Sequence, residues 1–435
     1  MRDFAEKYFS VFHNEYPKLL WIASVCFFLF FVTALFRNFV DTTFLKRYGP
    51  QAIPMMLLTN AILTVALFAV TDKLLKIFPD RVILSCFLII SALSAPVFDL
   101  MIASGSMVVY PVIYQLMLLI DSVLFVHIWN IAGDMFNARQ GKRIFPLITA
   151  SQLLGTIVGS FSTGLLVSVA GEKHILLIFA AVYMAVGIYM LKTGQKVLGS
   201  SERLVIEGQI NCVKVRLRQV PGLMKKYPII KFLVITGLIP NILLPIFFFQ
   251  FNTIANGSFA DEQSLITFFS IFRGLTTLVT FFVLFFSPNL LSFLGLPNSS
   301  LLFTFNFTAL FAVLPYAFNI FVAAYGQFST ILIQRAVAGP VNKILYSIVP
   351  TDLQTWSRTF IRGSVLKIGM FTGSIFMLIS KPFLDARDLS YVGLVLSIVL
   401  LTETLQFRSL YKHVLKQVLT HQENPADIPG SEKNV

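Results

Sequence analysis

Charge is scarce in this chain. Of its 435 residues only 13% are Asp, Glu, Lys or Arg, against about 25% in ordinary soluble domains. Cysteine is scarcer still: Cys26, Cys86 and Cys212 are scattered, which argues against a disulfide framework or a cysteine-based metal site. The five histidines are dispersed, no HExxH pattern occurs, and no Walker-type phosphate loop is present. The sequence therefore offers no metal site and no means of hydrolysing nucleotide, so neither enzymatic activity nor a cofactor is expected. Residues 1–16 are polar and of mixed charge, so no cleavable leader is expected either.

What the chain has in abundance is apolar length. Hydrophobic residues make up 56%, with 45 phenylalanines. They gather in twelve runs of about twenty residues, the length needed to cross a hydrocarbon core of about 30 Å. The runs cover residues 19–35, 53–71, 82–103, 108–132, 144–169, 175–191, 229–251, 263–286, 299–314, 319–337, 361–380 and 389–411. Only segments that satisfy their own backbone hydrogen bonds can stand in lipid, so these are helices. The expected fold class is an all-α polytopic membrane protein with twelve transmembrane helices. The break at 314–319 is the shortest, and Pro315 beside it also permits one kinked helix.

The net charge of +13 is a topology signal. Lys and Arg in the breaks that share a side with both termini outnumber those on the other side by more than three to one. The positive-inside rule then places both termini in the cytoplasm, which requires an even number of spans. The longest break, 192–228, holds eight basic residues and divides the chain into halves of six helices. The expected organisation is an N-terminal bundle at 1–191, a basic cytoplasmic linker at 192–228, a C-terminal bundle at 229–411 and a disordered tail at 412–435. Attraction of the linker to anionic lipid is expected, not nucleic-acid binding, and no obligate protein partner is evident.

The halves repeat one another. Asp134 precedes Lys142, Arg143 and Phe145, and then Gly155-x-x-x-Gly159; Asp352 precedes Arg358 and Phe360, and then Gly369-x-x-x-Gly373. The acidic and basic residues read as a conformational motif, and the glycines as helix-packing sites that touch no substrate. Two similar bundles joined by a basic loop fit the pseudo-symmetric, parallel-repeat architecture of the major facilitator type.

Four segments carry a more specific likeness: RNFVDTTFLKRYGPQAIPMMLL, DMFNARQGKRIFPLITASQLLGTIVG, FFFQFNTIANGSFADEQSLITFFSIF and NKILYSIVPTDLQTWSRTFIRGSVLKIG. In order and spacing they resemble the ATP/ADP-translocase-like family of nucleotide transporters. That resemblance implies an integral protein of a bacterial inner membrane that exchanges nucleotides or a related small anionic solute. It also implies a central cavity lined by the first, fourth, seventh and tenth helices. The sequence departs from the family at Val40, where nucleotide-carrying members have a basic residue before the position of Asp41.

Ionisable groups inside spans cost roughly 2.5–3.5 kcal/mol on insertion scales, so they mark functional candidates. Arg37 and Asp41 are four apart and share a helix face if the first span continues to Leu45. They read either as a substrate site or as a salt bridge at the helix end. Asp121, near the middle of the fourth span, is the candidate coupling carboxylate, with structural neutralisation by an arginine as the alternative. His127 reads as interfacial. Arg273 lies too deep to snorkel and is the candidate anion anchor, with Glu403 as its conceivable partner. Gln327, Gln334 and Arg335 have i, i+7, i+8 spacing and form a predicted wet face lining the cavity. Pro240 and Pro245 predict a hinge or a kink in the seventh span.

These residues are consistent with three functions: exchange of nucleotides or related anions, proton-coupled transport of another small solute, or a membrane sensor or assembly partner that keeps the fold without transport.

Overall fold

The computed structural model describes residue 12 and residues 15–170, 173–198, 220–349 and 351–423. Among them the chain is helical with no strand. The first helix, α1, runs unbroken over Tyr16–Arg47. Then come α2 (Ile53–Leu74), α3 (Asp80–Ala103), α4 (Val109–Met135), α5 (Ala138–Ala170) and α6 (Lys173–Leu198). A short helix α7 (Val220–Lys226) precedes α8 (Pro228–Ser258) and α9 (Glu262–Val313). The rest is α10 (Ile320–Ile333), α11 (Gly339–Ile348), α12 (Thr351–Phe360), α13 (Leu366–Ser380) and α14 (Leu389–Glu423).

Eleven described helical stretches are long and apolar enough to cross a membrane, and α13 is a shorter apolar helix matching the expected eleventh span. Large apolar side chains point outward along them, as Leu100, Phe125 and Val169 do. Such outward faces are stable only against lipid. The chain divides into two compact units, residues 1–208 with 252–282, and residues 209–251 with 283–435.

In the first unit α1 is the central element, because α5 and α6 both pack on it. A Cβ at Gly155 would overlap the Phe27 carbonyl, and one at Gly159 would overlap that of Phe31. The two glycines thus let the α1 and α5 backbones touch. Polar ties reinforce this packing: Asn38 Nδ2 donates to Thr163 Oγ1 at 3.0 Å, and Thr33 and Tyr183 join hydroxyls at 2.8 Å. In the second unit the same device recurs between α13 and α8. A Cβ at Gly369 would meet the Leu238 carbonyl at 2.7 Å, and one at Gly373 the Ile242 carbonyl at 2.8 Å.

Several boundaries differ from the sequence expectation. The eighth and ninth spans are separated within 287–298 by a kink at Gly295 (φ 72°, ψ 163°), while the rest of that break is helical, so both spans fall in α9. Glycine adopts that backbone freely where other residues do not. The break at 314–319 is real: the Asn319 side chain accepts from the backbone N–H groups of Phe321 and Val322, both at 3.1 Å, and so starts α10. The last helix continues to Glu423, into the expected tail, and 424–435 lie outside the described residues.

Two π-helical turns, Gln334–Ala338 and Ile361–Val365, join α10 to α11 and α12 to α13. Pro340 cannot donate to the Ala336 carbonyl four residues earlier. The Ser287 hydroxyl donates to that carbonyl instead.

Gly159→Leu should lower the thermal unfolding temperature of the purified protein markedly, because the backbone contact leaves no room and overpacking costs about 1–3 kcal/mol or more. Gly257→Ala, where nothing lies within 4 Å, should not lower it. Equal stability of the two variants would remove the close-packing account.

Candidate functional site

The intramembrane charges of the first unit converge on one stretch of α1. Arg37 forms an ion pair with Asp121 of α4, and both side chains are about a third exposed, at 35% and 37%. One turn on, Asp41 pairs with Arg273 of α9 at 2.5 Å, with the two side chains 19% and 2% exposed in the order Arg273, Asp41. Arg273 also donates to Asn38 Oδ1 at 2.9 Å and lies over the Phe269 ring at 4.6 Å. Asn38 is buried and is held through its other end by Thr163. Tyr114 of α4 is buried and stacks on Phe44 at 4.2 Å.

The i, i+4 spacing therefore places Arg37 and Asp41 on one face without pairing them. Each meets an opposite charge on a different helix. Glu403 is not the partner of Arg273, since it accepts instead from Lys231 of α8 at 2.9 Å. Spacing along one helix cannot reveal such partners, because they come from elements distant in the chain.

The two pairs differ in what they can do. A deeply buried pair is held by low dielectric and by its hydrogen bonds, and removing one partner strands the other. A pair that is a third exposed is screened and opens at lower cost. Asp41 Oδ1 is buried and has no hydrogen-bond partner among the described residues, and neither has the Thr42 hydroxyl.

Past these pairs, the end of α1 is tied to residues 256–262. Lys46 donates to the Asn256 carbonyl at 3.0 Å and also to that of Phe259. It thereby satisfies carbonyls at the C-terminal end of α8 that have no helical donor. Arg47 makes a two-pronged contact with Glu262, at 2.6 and 3.1 Å. Next to it, the backbone N–H and then the hydroxyl of Ser264 hold the exposed Asp261 carboxyl below the usual carboxylate range.

Of the remaining sequence candidates, Gln327, Gln334, Arg335, Asp352 and Arg358 belong to the second unit. Gln327 is half-buried on α10, whereas Gln334 and Arg335 are exposed. The π-helical turn begins at Gln334, so the regular spacing that predicted one wet face stops there. Arg143 pairs with Glu15 at 3.0 Å, with its guanidinium 4.5 Å from the Phe12 ring centroid. Asp134 is half-buried and Arg358 is exposed. The side chains of Lys142 and Asp352 lie outside the described residues. His127 is enclosed by protein. It is 1% exposed and sits 2.5 Å from Asp80, a contact the sequence reading missed because Asp80 looked like a loop residue.

Solved structures with similar backbones include nucleoside transporter NupG (D323A mutant), at 14% identity and TM-score 0.61, covering 90% of this chain and 99% of that one. A bacterial homologue of the iron transporter ferroportin in an inward-facing state gives 12% and 0.62, with 89% and 98% covered. The inward-open xylose transporter XylE from E. coli gives 10% and 0.56, with 90% and 95% covered. The fold is of the major facilitator type. No protein-family model matches the chain, and no curated protein does. These neighbours support the major-facilitator-type fold and not membership of the ATP/ADP-translocase-like family.

Asp41→Asn should destabilise the protein by about 3–5 kcal/mol, because it leaves Arg273 buried without its counter-charge. Asp121→Asn should cost less, since both side chains of that pair are about a third exposed. Asp41→Asn with Arg273→Gln should recover much of the first loss. Denaturation of the detergent-solubilised variants checks this cycle, and simple additivity would show that the pair is not coupled.

Proposed function

We propose that the chain is a secondary active transporter that works by alternating access, carrying a small anionic solute on arginines that its own carboxylates occupy in the empty state. The observation that supports this reading is the arrangement on α1: Arg37 and Asp41 each form an ion pair with a different helix, one pair half-open and one buried. An anion that binds Arg37 displaces Asp121. The freed carboxylate, in a low-dielectric setting beside a new negative charge, favours its protonated form. Solute binding and proton uptake are then linked, and the charge of the site is conserved through the cycle.

Nucleotide exchange is the specific version implied by the sequence resemblance, and one structural neighbour is titled a nucleoside transporter. The charge balance favours an anion of low charge. A triphosphate would need several cations, whereas both arginines here are matched by carboxylates and Val40 supplies none.

The test is uptake into proteoliposomes under an imposed pH gradient or with internal ATP, ADP, phosphate or a nucleoside, against external labelled solutes. Saturable flux that Arg37→Gln abolishes, and whose pH dependence Asp121→Asn removes, is expected. Flux driven only by internal ATP or ADP and insensitive to the pH gradient would replace proton linkage with nucleotide exchange. No flux of any anion or nucleoside by well-folded protein would overturn the transporter reading in favour of a sensor.

A further inference from the structure

His127 is the buried titratable group that the proposed transport cycle leaves unused. It lies on α4, six residues beyond Asp121, where a helical turn of about 3.6 residues puts it on a different face. Its Nδ1 is 2.5 Å from Asp80 Oδ1, and Asn130 Nδ2 donates to the same oxygen at 3.0 Å. Asp80 opens α3, where the helix dipole favours its negative charge. The imidazole is 1% exposed and Asp80 8% exposed. The other ring nitrogen, Nε2, is buried and has no hydrogen-bond partner among the described residues.

This geometry has two states of similar merit. With Nδ1–H donating to Asp80, a neutral ring leaves Nε2 as an unmet acceptor and keeps a net negative charge buried at the α3–α4 contact. A proton on Nε2 neutralises that charge by making an imidazolium–carboxylate pair, but leaves a buried N–H without an acceptor. The neutral ring carries an unmet acceptor and a buried net charge, and the charged ring an unmet donor and the desolvation of a second ion, so neither state is locked in by the fold.

The packed helices bring further ionisable groups to this end. Arg81 of α3 donates to the Met190 and Leu191 carbonyls of α6, both at 3.2 Å. Asp134 follows on α4; α1 contributes Lys18, α2 contributes Asp72 and Lys73, and α6 contributes Lys192 and Lys196. The side chain within ion-pairing distance of Asp80 is that of His127 itself.

We propose that His127 and Asp80 form a proton-binding site, separate from the Arg37–Asp121 pair, through which pH sets the strength of the α3–α4 contact. The proton enters at Nε2, Nδ1 keeps its own proton on Asp80, and no other bond changes. Because α3, α4 and α6 meet here, the site acts on the packing of the N-terminal helices and not on the solute. It stands whether or not the chain transports anything.

The full chain, labelled with 15N-histidine and held in phosphatidylethanolamine–phosphatidylglycerol nanodiscs, tests this by solid-state NMR, with His127 identified by the signal lost in His127→Gln. Between about pH 5 and 8, the range in which histidine changes charge, Nε2 of His127 should gain and lose a proton reversibly while Nδ1 stays protonated. Asp80→Asn should leave the ring neutral at a mildly acidic pH where the unaltered chain is charged. Thermal unfolding followed over the same range should lose its pH dependence in part in either variant. A ring that never takes a proton at Nε2, or one whose protonation Asp80→Asn does not change, would overturn the proposal. If both variants fail to fold, a chain in which His13, His174, His413 and His421 are replaced by glutamine isolates the His127 signal, and its Nε2 decides alone.

Discussion

A charge on a membrane-spanning helix must find an opposite charge on another helix, and that requirement organises the first unit. α1 carries Arg37 and Asp41 deep in an apolar run. The cost of leaving either unpaired, a few kcal/mol, is comparable with a sizeable part of the stability of a whole domain. Their partners, Asp121 and Arg273, come from α4 and from the start of α9. The close approach of α5 at Gly155 and Gly159 supports this arrangement. It brings Thr163 to Asn38, and Asn38 in turn holds Arg273. Packing of small residues on one face of α1 and ion pairing elsewhere on the same helix are therefore parts of one construction.

Unequal burial divides the work between the two pairs. The Arg273–Asp41 pair, with its carboxylate almost wholly enclosed, behaves as part of the frame. Arg37 and Asp121 keep about a third of their side chains exposed, and the proposed cycle has water and small solutes compete for them there. In the proposed cycle the exposed pair opens and closes while the buried one and the Lys46 and Arg47 contacts hold the end of α1. The carboxylates then serve as resident anions that a solute displaces. This links solute binding to protonation without any further group.

The helices were legible in the sequence because lipid imposes a simple length and polarity rule on every span. The internal repeat was legible too, since Gly155-x-x-x-Gly159 and Gly369-x-x-x-Gly373 recur at matching places and both meet helix backbones. Local spacing could not show what crosses between helices. Arg37 and Asp41 looked like a pair because they are four residues apart, yet each turns to a partner 80 or more positions away in sequence. The burial of His127 was hidden because Asp80, which the start of α3 brings against it, looked like a loop residue. The helical course through 287–298 was hidden because Pro288 and Gly295 normally mark breaks, and here Gly295 alone interrupts the helix.

The central claim is that solutes reach the Arg37–Asp121 pair from both sides of the membrane in turn. The most direct measurement is labelling of a single cysteine, Asp121→Cys, in a chain whose Cys26, Cys86 and Cys212 are replaced by alanine. A membrane-impermeant maleimide would be applied to right-side-out and to inverted vesicles. Alternating access predicts labelling from each side, with the two rates moving in opposite directions when a transported solute is added. A thiol unreachable from either side in well-folded protein would mean a dry site, and would contradict the proposed transport.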